Sequence, residues 1–183
     1  MAIEVKEYTV QLRRPSEAQA AFIDSPAKRK VIRAGRRGGK TTGAAILGLQ
    51  YFLRGKRVLY AVPTQEQVER FWHEVKKALQ ETLDAGVFYK NETSHLIELA
   101  GTEQRIRAKT AWNADTLRGD YADLLILDEW QLMEEGAWES VGAPMLLDNN
   151  GDAVFIYTPP SMRSRSLSRA RDPFHAAKMF KAA

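Results

Sequence analysis

Two spacings divide the chain: short runs of consecutive apolar residues, which suit strands buried on both faces, and stretches where apolar residues recur every three or four positions, which suit helices. The run from Lys28 to Arg33 is β-branched at its centre, a Gly-rich turn follows, and Thr41 to Leu53 carries apolar residues at helical spacing. This segment predicts strand, loop, helix. Arg57 to Val62 predicts a second strand, stopped by Pro63, whose ring fixes φ and removes an N–H donor. Thr64 stands where it can cap a long helix, and Gln67 three residues on completes a capping-box pattern. Val68, Phe71, Trp72, Val75, Leu79 and Leu83 then form a single apolar stripe.

Between Val87 and Thr110 the pattern shortens into strand-like runs: Val87 to Tyr89, His95 to Leu99, and Gln104 to Arg107. Two of these are expected to pair as a hairpin. Leu124 to Leu127 is continuously apolar, as a strand inside a parallel sheet must be. A helix is predicted over Glu134 to Leu147, and a last strand over Ala153 to Tyr157, ended by Pro159 and Pro160. Strands alternating with helices predict an α/β fold, a mostly parallel central sheet with right-handed crossovers and helices on its flanks. No internal repeat is present.

Composition narrows the setting. At 183 residues with 44% hydrophobic content, the chain suits one domain with a substantial core. It is read as a single unit over 1–183, with an N-terminal segment at 1–27, a core at 28–160 and a basic tail at 161–183. The absence of cysteine excludes disulfides and thiolate metal sites and favours an intracellular setting. No run approaches about 20 consecutive apolar residues, and the first residues lack the basic-then-apolar order of a signal peptide. A soluble, cytosolic protein with no membrane partner is expected. The net charge of +4 is local: from Arg163 onward six basic residues face one acid, which leaves the rest nearly neutral. Such a Ser-rich tail reads as a solvated segment before it reads as a DNA-binding surface. His73, His95 and His175 are too scattered to suggest a metal site.

Chemistry enters at Ala34-Gly35-Arg36-Arg37-Gly38-Gly39-Lys40-Thr41. The phosphate-loop pattern is Gly, four residues, then Gly-Lys-Ser/Thr, set between a strand and a helix; here Ala34 takes the first glycine's place. Gly35, Gly38 and Gly39 let the backbone curl with its N–H groups inward, and the helix N-terminus adds partial positive charge, so the loop is an anion nest. Lys40 is placed to reach the β- and γ-phosphates of ATP and the Thr41 hydroxyl to bind Mg2+, with Thr42 beside it. Arg36 and Arg37 are unusual in such a loop; either they contact the γ-phosphate or they face solvent.

A second cluster lies at the end of the apolar run, Leu127-Asp128-Glu129. Ligands of open α/β sheets bind at the carboxyl ends of the strands. Asp128 is expected to hold Mg2+ through water, and Glu129 to orient and polarise an attacking water. Two carboxylates at one strand end repel each other unless a cation lies between them. A carboxylate placed to activate water favours a hydrolase that converts ATP into motion over a small-molecule kinase.

With these residues in order, the chain resembles the ATPase domain of the large terminase subunit of tailed phages, one of the additional-strand, catalytic-glutamate P-loop motors. The resemblance rests on Pro15-Ser16-Glu17-Ala18-Gln19, the Arg-rich loop, Thr116-Leu117-Arg118-Gly119, Leu127-Asp128-Glu129 and Tyr157-Thr158-Pro159-Pro160. It implies that Gln19 contacts adenine, that Arg118 is an arginine finger reaching a neighbouring subunit's ATP, and that Thr158 couples the γ-phosphate state to the rest of the protein. Arg36 or Arg37, acting within the subunit, is the competing assignment for the finger. Trp130 departs from the small residue often found after the acidic pair. The resemblance further implies double-stranded DNA, a portal protein and a small terminase subunit as partners. It also implies a homo-oligomeric ring, expected as a pentamer when assembled and a monomer in isolation, in the cytoplasm of an infected bacterial host. A lid, begun by the piece from Pro173 to Phe180, is implied as well; a nuclease domain is expected to be absent from this chain.

Two other functions fit some of these features. A helicase-like ATPase shares the glutamine, the loop, the Asp-Glu pair and a Thr-bearing strand, but needs a second similar domain to complete its site. A nucleotide-binding assembly module with little turnover needs neither Glu129 nor Arg118. Arg105, Arg107 and Lys109 alternate on a predicted strand, and could line one face toward DNA or simply face solvent.

Overall fold

The structure is a computed structural model that describes residues 7–111, 117, 119–134 and 136–159. Its seven strands are β1 (Arg29–Arg33), β2 (Arg57–Val62), β3 (Tyr89–Asn91), β4 (Leu96–Glu98), β5 (Arg105–Thr110), β6 (Leu124–Leu127) and β7 (Asp152–Tyr157). The helices are α1 (Glu17–Ile23), α2 (Lys40–Leu53), α3 (Gln65–Asp84) and α4 (Ala143–Leu147), with a 3-10 turn at Trp130–Leu132 and a π-helical stretch at Ala137–Gly142. All strands form one sheet in the order β1-β7-β6-β2-β5-β4-β3. The first five in that order run parallel. β3 and β4 add an antiparallel hairpin at the β5 edge. Among the described residues no helix is long and apolar enough to cross a membrane.

Because side chains alternate across a strand, the central strands feed two separate cores. Val58, Tyr60, Leu124, Ile126, Val154 and Ile156 point to one face and pack with buried residues of α2 and α3. Leu59, Ala61, Leu125, Leu127, Ala153 and Phe155 point to the other, under Trp130, Met133, Trp138, Val141 and Leu146. The α3 stripe is buried from Val68 to Leu79, and Leu83 is half-buried at its end. The order β1-β7-β6 sets the last strand between the one that carries the phosphate loop and the one that carries the acidic pair.

Three local expectations need correction. Thr64 is the N-cap of α3, but its hydroxyl donates to the Gln67 side-chain carbonyl at 2.9 Å and caps no backbone N–H. The helix predicted from Glu134 instead begins at Ala137 and opens as a π-helix, in which the Ala143 N–H donates to the carbonyl of Trp138, five residues back. Pro144 explains the widening: it lacks an N–H, and in a regular α-helix its ring would meet the carbonyl four residues earlier. At the hairpin edge, Val87 and Phe88 precede the strand, which starts at Tyr89.

Candidate functional site

The loop after β1 owes its shape to two close backbone approaches. Gly39 is the N-cap of α2 with φ +67°, and a Cβ there would stand 2.6 Å from the Gln19 side-chain nitrogen. Glycine alone meets both demands. Gln19 reaches that point because it belongs to a capping box on α1: Ser16 Oγ accepts from Gln19 N–H at 3.3 Å, and Gln19 Oε1 accepts from Ser16 N–H at 2.8 Å. Its Nε2 then donates to the Gly39 carbonyl at 2.7 Å. At Gly43 a Cβ would lie 2.5 Å from the Phe22 ring, so α1 packs directly on the first turn of α2. Ala34 has no positive φ, which explains why the loop tolerates it in the first glycine's place; its N–H donates to the Tyr157 carbonyl at 3.1 Å. Lys40 Nζ donates to the carbonyls of Ala34 and Gly35 at 3.2 and 3.0 Å.

The acidic pair is held differently. Asp128 is 3% exposed; its Oδ2 accepts from the Tyr60 hydroxyl at 2.7 Å and its Oδ1 from the Glu129 N–H at 2.8 Å. Tyr60, fully buried on β2, is stacked on Phe71 of α3 at 3.8 Å between centroids. Burial pushes the Asp128 carboxyl above the ordinary carboxylate range, and the Glu129 charge pushes the same way, against the bonds from Tyr60 and the Glu129 N–H and the charge of Lys40. Burial, and then the Asp128 charge, drives the Tyr60 phenol well above its usual value. A buried carboxylate pressed away from its charged form, beside a hydroxyl, is an all-oxygen donor set that suits a hard divalent cation. The described residues hold no group of three or more His, Cys, Asp or Glu side chains fit to bind a metal.

Glu129 has φ +52° and ψ +42°, left-handed geometry that costs a residue with a Cβ about 1–2 kcal/mol. Two side chains hold its carboxylate there. The Thr158 hydroxyl donates to Oε1 at 2.8 Å, and the Gln131 side-chain amide donates to Oε2. Gln131 Oε1 in turn accepts from the Thr158 N–H at 3.2 Å. Of the four non-glycine residues with positive φ among those described, two, Arg37 and Glu129, face this site, where such strain characteristically gathers.

These parts enclose a cleft of about 800 Å³ lined by the loop from Arg36 to Thr42, Glu129, Thr158 and Pro159. Gln67, Arg70, Gln131 and Leu132 complete it; none of these was singled out as a site residue from sequence. Arg36 and Arg37 are exposed on its rim, and Arg37 also borders a neighbouring hollow with Arg13, Arg14 and Gln19. Arg118 lies outside the described residues, as do the basic tail and the piece from Pro173 to Phe180. Arg105, Arg107 and Lys109 do share one face of β5, but Arg107 and Lys109 both pair with Asp120, at 3.1 and 2.7 Å, and Arg105 donates to the Tyr121 carbonyl.

A parallel sheet with an extra strand between the phosphate-loop strand and the acidic strand, and a glutamate at the end of the latter, defines an α/β P-loop NTPase of the RecA-like, additional-strand, catalytic-glutamate type. Known proteins narrow the likeness. The large terminase subunit of Thermus virus P23-45 is 27% identical over 169 residues, covering 81% of this chain and 34% of that protein. The solved ATPase domain of the Thermus phage P74-26 large terminase superposes with a TM-score of 0.69 at 26% identity, covering 82% of this chain and 67% of that one. The large terminase of a thermophilic bacteriophage, solved in complex with ADP, shares the fold at a TM-score of 0.55 and 17% identity, over 79% of this chain and 39% of that one. No family model matches the chain. What it resembles is the ATPase domain of a tailed-phage large terminase subunit. The chain spans about a third of the length of the curated relatives it matches.

Proposed function

We propose that this chain is the ATP-hydrolysing motor domain of a viral DNA-packaging terminase, coupling ATP hydrolysis to the movement of double-stranded DNA into a procapsid. The observation that carries the proposal is Glu129, strained and doubly hydrogen-bonded across the cleft from the phosphate loop. A module that only binds nucleotide has no use for a carboxylate kept there.

In this reading the loop N–H groups and Lys40 bind the β- and γ-phosphates, and Glu129 orients a water and draws on its proton. Asp128 and Thr41 would hold Mg2+, which when bound neutralises charge on the phosphate oxygens. Gln19 shapes the adenine side of the loop. Thr158, bonded to Glu129 through its hydroxyl, is suited to register the γ-phosphate. Arg118 acts as a finger on a neighbouring subunit's nucleotide within a homo-oligomeric ring, with Arg36 or Arg37 the alternative within the subunit. Turnover per subunit that rises with protein concentration favours the first, and a flat response the second. The terminase likeness brings a portal protein and a small terminase subunit as further partners. DNA contact is not assigned to the β5 row, since two of its three cations are engaged by one carboxylate.

The test is Glu129→Gln. The charge lost is the one that acts on water, so turnover should fall about 10²- to 10⁴-fold, the usual worth of a general base, while a fluorescent ATP analogue still binds. Wild-type turnover in Glu129→Gln would take Glu129 out of the chemistry and remove the observation that carries the motor reading, whereas a parent protein that binds the analogue without turnover would be a passive nucleotide-binding module.

A further inference from the structure

Gln131 closes a ring of three hydrogen bonds with Glu129 and Thr158, and both ends of its amide are chemically discriminated. The NH2 group meets a carboxylate oxygen and the carbonyl oxygen meets a backbone N–H. Turning the amide over would set oxygen against oxygen and N–H against N–H, so the network allows a single orientation. Its backbone is equally constrained. Gln131 lies in the 3-10 turn that starts directly after Glu129, and that turn is anchored by Trp130, 1% exposed and edge-on to Phe155 of β7. Thr158 follows β7, a strand hydrogen-bonded on both sides. The ring thus braces a glutamate in an unfavourable backbone conformation against a fixed strand end.

We propose that Gln131 is a positioning residue for Glu129: it sets the direction of the carboxylate and ties that direction to Thr158, so that it governs the rate of ATP hydrolysis and not the affinity for nucleotide. This rests on the reading of Glu129 as the residue that orients water. Without Gln131 the carboxylate keeps one donor of two, and the left-handed backbone loses half of what holds its side chain in place. Small misplacements of a catalytic group carry large penalties, up to about 10²-fold for about 1 Å.

Gln131→Met preserves length and flexibility and removes both polar ends. Expected are a fall in kcat of about ten- to a hundredfold, unchanged binding of the fluorescent ATP analogue, and a small drop in melting temperature, because the Thr158 N–H loses its acceptor and the Glu129 carboxylate one donor. Gln131→Glu should be worse, since it sets a second carboxylate against Glu129. Thr158→Val combined with Gln131→Met should lose no more than the poorer single variant, because residues that act as one unit are non-additive. A readout independent of turnover is amide hydrogen exchange: the Thr158 N–H, which donates to Gln131, should exchange faster in Gln131→Met. Wild-type kcat, a loss in nucleotide affinity in place of kcat, losses that multiply in the double variant, or unchanged exchange at Thr158 would each overturn the proposal. Glu129→Gln in the same assays separates the two ideas. If it retains turnover, the reading of Glu129 falls and this inference with it; if it is inactive while Gln131→Met is normal, only this inference falls.

Discussion

The loops at the ends of β1 and β6 reach unusual backbone geometry by opposite means. After β1, left-handed geometry falls on Arg37 within the loop and on Gly39 at the start of α2; at Gly39 it costs nothing, and the Gln19 amide fills the space a side chain would have taken. After β6, it falls on Glu129, where it is costly and is maintained by Gln131 from the turn that follows and by Thr158 from the end of β7. On the proposed function, the first loop presents backbone N–H groups, so side chains are in the way, and the second presents a carboxylate, so a side chain is indispensable. Strain at β6 follows from that requirement.

The largest expected effect tests the first half of this contrast. Gly39→Ala adds the positive-φ cost and a clash with Gln19 that disrupts the α1 capping box, together about 3 kcal/mol of stability, measurable as a drop in the denaturant midpoint with nucleotide affinity lost alongside. A Gly39→Ala protein as stable as the parent would mean that Gln19 does not close the loop. A smaller effect probes the acidic side. Tyr60→Phe keeps the stack on Phe71 but removes the donor to buried Asp128, and should cost about 2 kcal/mol, with a higher Mg2+ concentration needed for tight nucleotide binding. An unchanged Mg2+ requirement would mean that Asp128 needs no orienting partner. The smallest effect is Ala34→Gly. Because Ala34 already has an ordinary φ, restoring the pattern's glycine should leave nucleotide affinity unchanged in a titration; a clear gain would show that the Cβ does obstruct the loop.

The same contrast explains what sequence could reveal. Features whose causes are local were legible: the apolar runs of β2 and β6, the stripe on α3, and a phosphate loop whose glycines stand within a few residues of Lys40. Tyr60 reads in the sequence only as part of a strand, because its partners Asp128 and Phe71 meet it through sheet order and helix packing. Gln131 carried no signal at all; its task exists only because β7 brings Thr158, 27 residues away, beside it. Thr64 and Gln67 matched a capping box but made a side-chain pair instead, whereas Ser16 and Gln19, read only as part of a family motif, made the real one. The row on β5 was legible as charge, but the carboxylate of Asp120 that binds two of its members was not, since it stands 13 and 11 residues further along the chain.

Mechanically, the position of β7 makes its end a fixed post. A strand laddered to β1 on one side and β6 on the other cannot slide by one residue without turning every side chain to the opposite core. Thr158 therefore cannot follow the nucleotide by strand slippage. On the proposed function, a change at the phosphates would reach that post through rotation of the side chains that meet there, Glu129, Gln131 and Thr158.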